Sequence, residues 1–159
     1  LAFEPNSEAL LKMRNTITKN QNLKDRIKIF PFGISNINSK MQMRSMIKHG
    51  YTQTGGSSVT TDKISQDNKF KIYEGDFKNG DEVLNFKRDN LAIKIDVEGH
   101  ELNVLKSINL KKIYVKVVCI EIIEHNQKAK KVGKNAMKYL KTNGFKFKFK
   151  KGINYIFIQ

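Results

Sequence analysis

The stretch IKIDVEGHE, residues 93–101, decides the fold class of this chain. It follows Leu91 and Ala92, and together they predict a buried strand over 91–97 and a helix from about His100. Short apolar runs and amphipathic stretches alternate along the rest of the chain, which is typical of α/β proteins. Because open parallel sheets bind ligands at the carboxyl ends of their strands, the acidic residues after this strand are candidate site residues.

The elements around this stretch follow from the same periodicity and from capping residues. They are a strand over 1–4 that stops at Pro5, a helix capped by Asn6 or Ser7, a strand over 26–32 closed by Gly33, an extended segment around 41–46, a loop over 51–62, a short strand over 70–73, a helical turn near 83–84, a strand over 113–123 and a helix over 128–143.

The chain ends in a regular alternation of phenylalanine and lysine. Phe145, Phe147 and Phe149 alternate with lysines, and a turn at Lys151 and Gly152 leads into a second apolar strand. This pattern predicts a β-hairpin with one apolar face. A platform for stacking nucleic-acid bases is an alternative role for the three rings, and packing into the core is the interpretation we adopt.

Length and composition limit the class of protein. The 159 residues with 39% hydrophobic content predict one domain over 1–159. No apolar run approaches the length of a membrane span, and residues 1–5 lack the pattern of a signal peptide, so we expect a cytoplasmic protein. The single cysteine, Cys119, excludes an internal disulfide and a multi-cysteine metal site, and no metal ligands are predicted.

The net charge of +15 is concentrated towards the end of the chain. Residues 111–159 carry 13 lysines against Glu121 and Glu124. Such a basic segment attracts nucleic acid, anionic membranes or phosphorylated substrates. The chain has only four arginines, the residue preferred for bidentate phosphate contacts, so we favour solvated lysine surfaces and expect no nucleic-acid partner.

Acidic residues accompany three of the predicted strands. Glu4 closes the first strand, where a carboxylate can accept both hydroxyls of a ribose. Asp96 and Glu98 follow the strand over 91–97, and clustered carboxylates suit general-base or metal-ligand chemistry. Glu121 lies within the apolar strand over 113–123, where a carboxylate is costly unless it is paired or faces a cleft.

Simpler interpretations exist for these acids. Glu4 can be a surface residue beside a proline turn. Glu98 and Glu101 can complement the amino terminus of a short helix. Asp96 has no such role, because it closes a strand, and we therefore favour a functional cluster.

The stretch over 93–101, followed by Val104 and Leu105, closely resembles the K-I-D-V-E-G-x-E…V-L signature of FkbM-type methyltransferases. The residues AFEPN, 2–6, are similar to that family's A-F-E-P-n signature, and the Ile120–Glu121 pair corresponds to its i-E strand. The spacing agrees over essentially the whole chain.

This resemblance implies a Rossmann-like class I methyltransferase sheet, mostly parallel with a C-terminal antiparallel hairpin. It implies S-adenosylmethionine as cofactor and methylation of a hydroxyl on a sugar or secondary metabolite. The implied cofactor-binding residues are Glu4, Gly33, Ile34 and Asp96. The implied catalytic residues are Asp96, Glu98 and Glu121, and the implied substrate-binding residues are Glu98, His100 and Glu101.

The chain departs from the family in one respect. The family begins with a strand and a glycine-rich turn of the kind D-x-G-A-N-x-G, whereas here no Gly-x-Gly pattern occurs. We therefore expect an N-terminally truncated version of the fold, which can be inactive as a fragment, and a homo-oligomer that covers the resulting gap in the sheet.

Two functions compete at this stage. The first is an S-adenosylmethionine-dependent methyltransferase that acts on a small-molecule or sugar hydroxyl. The second is a degenerate Rossmann-like binding module, which would use its basic C-terminal face to hold RNA or an anionic surface.

Overall fold

The computed structural model describes residues 1–60, 69–85, 90–124 and 127–159. These residues form a mixed α/β structure with three sheets and four α-helices. The strands are β1 (Ala2–Phe3), β2 (Ile29–Phe30), β3 (Gly33–Ser35), β4 (Ser39–Lys48), β5 (Tyr51–Thr52), β6 (Ser58–Val59), β7 (Phe70–Asn79), β8 (Leu91–Ile95), β9 (Val115–Glu121), β10 (Lys146–Lys151) and β11 (Asn154–Ile158). The helices are α1 (Ser7–Lys19), α2 (Gly80–Val83), α3 (Glu101–Lys106) and α4 (Gln127–Thr142).

The chain divides into two compact units, residues 1–78 and 79–159. Among the described residues, none of the helices has the length and apolarity needed to cross a membrane. The single domain over 1–159 stays a prediction.

The first unit opens with a short parallel pair of strands. β1 pairs with β2 in the register Ala2 to Ile29 and Phe3 to Phe30, and the Glu4 N–H donates to the Phe30 carbonyl at 3.1 Å. Asn6 caps α1, because its Oδ1 accepts from the N–H groups of the second and third helical residues at 2.8 and 3.2 Å. The sequence does not distinguish Asn6 from Ser7 as the N-cap of this helix, and the structure shows that the N-cap is Asn6.

The rest of the first unit is a five-stranded sheet of order β3-β7-β4-β5, with β6 also paired to β4. β4 and β7 are antiparallel over eight residue pairs. The sequence predicted only an extended segment around 41–46 and a strand over 70–73, because charged residues interrupt the apolar pattern. The expected loop over 51–62 contains the short strands β5 and β6, and its residues 61 and 62 lie outside the described residues.

The second unit is built on a four-stranded sheet of order β10-β11-β9-β8. β8 and β9 run parallel, whereas β11 is antiparallel to both β9 and β10. Helices α3 and α4 pack against each other, and the side chains with no more than 2% exposure include Leu105, Val118, Ile120, Leu140, Phe145 and Phe157. The predicted hairpin, the helix over 128–143 and the strands on both sides of the acidic stretch are confirmed to within a few residues.

Two predictions about burial are wrong. The strand over 91–97 ends at Ile95, and Ala92 and Lys94 are exposed, so the strand is buried on one face only. In the hairpin, Phe145 is buried, but Phe147 and Phe149 are 47% and 51% exposed.

A β-bulge between Phe147 and Phe149 accounts for the part of the second error that concerns Phe149. Phe147 lies opposite Phe157, whereas Phe149 lies opposite Ile156. Because neighbouring residues of a strand point to opposite faces, the extra residue turns Phe149 away from the face that Phe147 occupies. The three rings therefore do not form one apolar face.

The fold class is mixed α/β, and the sheet predicted from the sequence was mostly parallel. Among the described strand pairs, β1–β2 and β8–β9 are parallel. In the five-stranded sheet, the pairs that β4 forms with β5, β6 and β7 are antiparallel. The predicted antiparallel C-terminal hairpin is present.

Candidate functional site

Three acidic residues of the second unit lie close together at the carboxyl ends of two neighbouring parallel strands. β8 and β9 pair in the register Ile95 to Ile120, so Asp96 and Glu121 occupy the next position on each strand. One carboxylate oxygen each of Asp96, Glu98 and Glu121 lies within 4.8 Å of the others. The sequence predicted all three, and the structure brings them together.

Among the described residues, Lys94 forms ion pairs with two of these carboxylates. Its Nζ lies 2.7 Å from Asp96 Oδ2 and 3.6 Å from Glu121 Oε2. The hydrogen bond to Asp96 raises the pKa of Lys94, and the charge of Glu121 acts in the same direction. The ammonium therefore offsets part of the negative charge that the three carboxylates concentrate.

Sequence reasoning assigned no role to Lys94, although a signal was present. Side chains two residues apart in a strand share a face, so Lys94 and Asp96 had to lie on the same side of β8. Across the parallel pair, Lys94 lies opposite Cys119, which places Glu121 on that face as well. The Glu121 side chain is only 16% exposed, so its carboxylate loses hydration in this apolar strand. The Lys94 ammonium beside it offsets part of that desolvation cost.

Glu98 is held in a strained turn. Val97 accepts a backbone hydrogen bond from His100 at 3.2 Å, and the two residues between them, Glu98 and Gly99, have φ values of 49° and 99°. Positive φ at both central positions is the signature of a type I′ turn. Glycine adopts it freely, whereas for glutamate the left-handed conformation costs about 1–2 kcal/mol.

Burial raises the pKa of the Glu98 carboxyl to about 7, and the nearby charges of Asp96, Glu121 and Glu101 add to the effect. Half of this carboxyl group's population is then neutral near physiological pH. Such a group can accept and release a proton at neutral pH with little thermodynamic penalty, as a general base requires.

Glu101 and His100 support this turn from the start of α3. Glu101 is 5% exposed, and its Oε1 accepts the N–H of Gly99 at 2.7 Å. Burial raises the pKa of Glu101, and the hydrogen bond from Gly99 opposes this change. His100 is 8% exposed, its Nδ1 accepts from the Asn103 amide at 3.2 Å, and burial lowers its pKa.

The same three carboxylates have the spacing at which a divalent cation could bridge their oxygens. In this structure the Lys94 ammonium supplies the positive charge at that position. The arrangement can hold a proton, orient a hydroxyl group or stabilise a cationic reactant.

The remaining predicted residues belong to the first unit. Glu4 follows β1, and its Oε1 accepts the Asn6 N–H at 2.7 Å. Burial raises the pKa of Glu4, and that hydrogen bond opposes the change.

Gly33 and Ile34 are both buried in β3. A Cβ on Gly33 would clash with the Phe77 ring, so the glycine allows this ring to pack against the backbone. The roles in cofactor binding that the sequence assigned to Glu4, Gly33 and Ile34 stay predictions.

The comparison with protein families matches residues 1–147 of the 159-residue chain to the Methyltransferase FkbM domain. The curated proteins and the solved structures contain no significant match to the chain. The family match spans both compact units and includes every predicted site residue. The chain therefore belongs to the FkbM methyltransferase domain family.

Proposed function

We propose that this protein is an S-adenosylmethionine-dependent O-methyltransferase that acts on a hydroxyl of a sugar or secondary metabolite. The observation that carries the proposal is the convergence of Asp96, Glu98 and Glu121 at the carboxyl ends of the parallel strands β8 and β9. In a family of methyltransferases, such a cluster can supply the base that takes the proton of an alcohol as its oxygen attacks a methyl group. The same pair of strands supports a Rossmann-like class I arrangement of the sheet.

The residues present fit this cofactor in part. Glu4 ends a parallel strand just before the capped helix α1, and a carboxylate there can accept hydrogen bonds from ribose hydroxyls. The structure gives its Oε1 one donor, the Asn6 N–H, and a carboxylate has acceptor capacity for more. We propose Glu4 as the ribose-binding residue, and Gly33 and Ile34 as residues beside the adenine.

When it is bound, S-adenosylmethionine supplies a methyl group on a sulfonium centre. We propose that the ionised Glu98 carboxylate accepts the proton of the acceptor hydroxyl as that oxygen attacks. Its pKa of about 7 matches a base that works at neutral pH. Asp96 and Glu121 place negative charge beside it, and Lys94 limits the mutual repulsion.

Glu101 and His100 act in this proposal as positioning residues. The hydrogen bond between the Glu101 carboxylate and the Gly99 N–H holds the turn that presents Glu98. The predicted substrate contacts of His100 and Glu101 remain proposals. Both residues are buried, whereas 42% of the Asp96 side chain is exposed. Asp96 is therefore more accessible to a substrate than either of them.

The test has a binding arm and a chemical arm. Titration calorimetry with S-adenosylmethionine should show binding that Glu4→Ala weakens by about 1.5–3 kcal/mol, the range for a charge-assisted hydrogen bond. Equal affinities of the two proteins would remove Glu4 from the cofactor site.

The chemical arm uses labelled S-adenosylmethionine and a panel of sugar and polyketide hydroxyls. Glu98→Gln should leave cofactor affinity unchanged and lower methyl transfer at least about 100-fold, the lower end for a general base. Undiminished transfer by Glu98→Gln would contradict its role as the base. No cofactor binding by the wild-type protein would contradict the proposed activity.

A further inference from the structure

The C-terminal hairpin exposes both charge and apolar surface on one strand. All six residues of β10, KFKFKK, are exposed, including four lysines. Phe147 and Phe149 are 47% and 51% exposed, and Ile153 in the adjoining turn is 46% exposed. Within the described residues, β10 pairs only with β11 and is an edge strand of the sheet.

Protection of an edge strand explains only part of this arrangement. Lysines and a β-bulge on an edge strand prevent it from pairing with another chain, and β10 has both. Exposed phenylalanines have the opposite effect, since they add apolar surface to the edge. Their presence calls for a partner that buries them.

The charge around the hairpin identifies the chemistry of that partner. Residues 111–159 carry 13 lysines and two glutamates, and exposed lysines line α4 as well as β10. Lys148 and Lys150 flank Phe149 in the sequence, and Lys151 precedes Ile153 by two residues. Apolar side chains flanked by lysines match the boundary between anionic headgroups and acyl chains.

We propose that the edge of this hairpin, residues 146–153, docks on the surface of an anionic lipid bilayer. Phe149 and Ile153 would enter the headgroup boundary, and lysines beside them, Lys148 and Lys151, would contact the lipid phosphates. The proposal is independent of methyl transfer, because it uses none of the carboxylates of the candidate site.

Several observations favour lipid over nucleic acid. The bulge places Phe147 and Phe149 on opposite faces, so they do not form a platform on which successive bases can stack. Phe147 is also held by ring contacts, with centroids 6.3 Å from Tyr155 and 5.7 Å from Phe157. Ile153 cannot stack on a base, and the segment has no arginine for bidentate phosphate contacts.

Sedimentation with lipid vesicles tests this proposal on the full chain. The vesicles are pure phosphatidylcholine, or phosphatidylcholine with about 30% phosphatidylglycerol, at about 0.1 M salt. We expect the wild-type protein to prefer the anionic vesicles at least about tenfold. Equal partitioning into both kinds of vesicle would overturn the proposal.

Two matched pairs of variants locate the surface. Lys148→Glu with Lys151→Glu should lower binding at least about tenfold, and Lys130→Glu with Lys134→Glu on α4 should lower it less than about threefold. Equal losses in the two double variants would mean that net charge alone drives binding, which contradicts a docking edge. All four lysines are exposed, so these substitutions leave the core intact.

The apolar contribution has its own control. Phe149→Ser should lower vesicle binding about fivefold, whereas Leu11→Ser, at a residue that is 61% exposed, should have no effect. No loss in Phe149→Ser would contradict insertion of the ring. Fluorescence anisotropy with a single-stranded RNA tests the alternative partner. Tight RNA binding that persists at about 0.2 M salt and is lost in Phe149→Ser would overturn the proposal and assign the surface to nucleic acid.

Discussion

Glu98→Gln isolates the contribution of one carboxyl group to stability. The substitution keeps the size of the side chain and its left-handed backbone but removes its titration. Burial and neighbouring acids raise the pKa of Glu98 from its ordinary value of 4.5 to about 7 in the folded protein. Between these two pH values the folded state binds the proton more tightly than the unfolded state, so the free energy of unfolding falls as the pH rises.

The size of the effect follows from the pKa values. A pKa difference from 4.5 to about 7 corresponds to about 3 kcal/mol in the free energy of unfolding when solvent screening is ignored. The side chain is partly exposed, and solvent screening reduces the expected value to about 1–2 kcal/mol. Glu98→Gln should therefore match the wild-type protein near pH 4.5 and exceed its stability by about 1–2 kcal/mol at pH 8.

Urea denaturation at several pH values between 4.5 and 8 measures this difference. The control is Asp25→Asn, which removes an exposed carboxylate of the first unit, away from the acidic cluster. A constant difference between Glu98→Gln and wild type across this range would refute the reasoning. It would mean that the carboxyl group of Glu98 titrates alike in the folded and unfolded states.

Three further predictions concern the site and the packing. Gly33→Ala should destabilise the protein by about 1–3 kcal/mol in urea denaturation because its Cβ would clash with the Phe77 ring, and adding Phe77→Leu should recover part of the loss. An unchanged midpoint would contradict that packing. Glu98→Gly should be more stable than Glu98→Ala by about 1–2 kcal/mol, since only glycine adopts a φ of 49° without strain, and equal thermal stabilities would argue against the turn. Lys94→Gln should raise the pKa of Glu98 further, because Asp96 and Glu121 lose the cation that offsets their charge. A carbon-13 NMR titration of the Glu98 carboxyl measures this pKa, and no upward change would exclude the coupling.

Local signals in the sequence determined the elements and the identity of most site residues. The apolar run over 91–95 followed by Asp96 predicted a strand with acids at its carboxyl end, because side-chain periodicity and strand ends are local properties. Asn6, the amphipathic α4 and the hairpin were predictable for the same reason. The lengths of β4 and β7 were not predictable, because charged residues interrupt the apolar pattern of both strands. The full extent of each strand depends on its pairing with the other.

The tertiary structure alone decided how those residues act together. Glu121 lies 25 positions after Asp96, and only the parallel pairing of β8 with β9 places the two acids side by side with Lys94 between them. The pKa of Glu98 depends on that assembly and on its burial, neither of which a local pattern encodes. The bulge in β10 likewise reversed the side on which Phe149 lies, because a single extra residue inverts every later position of a strand.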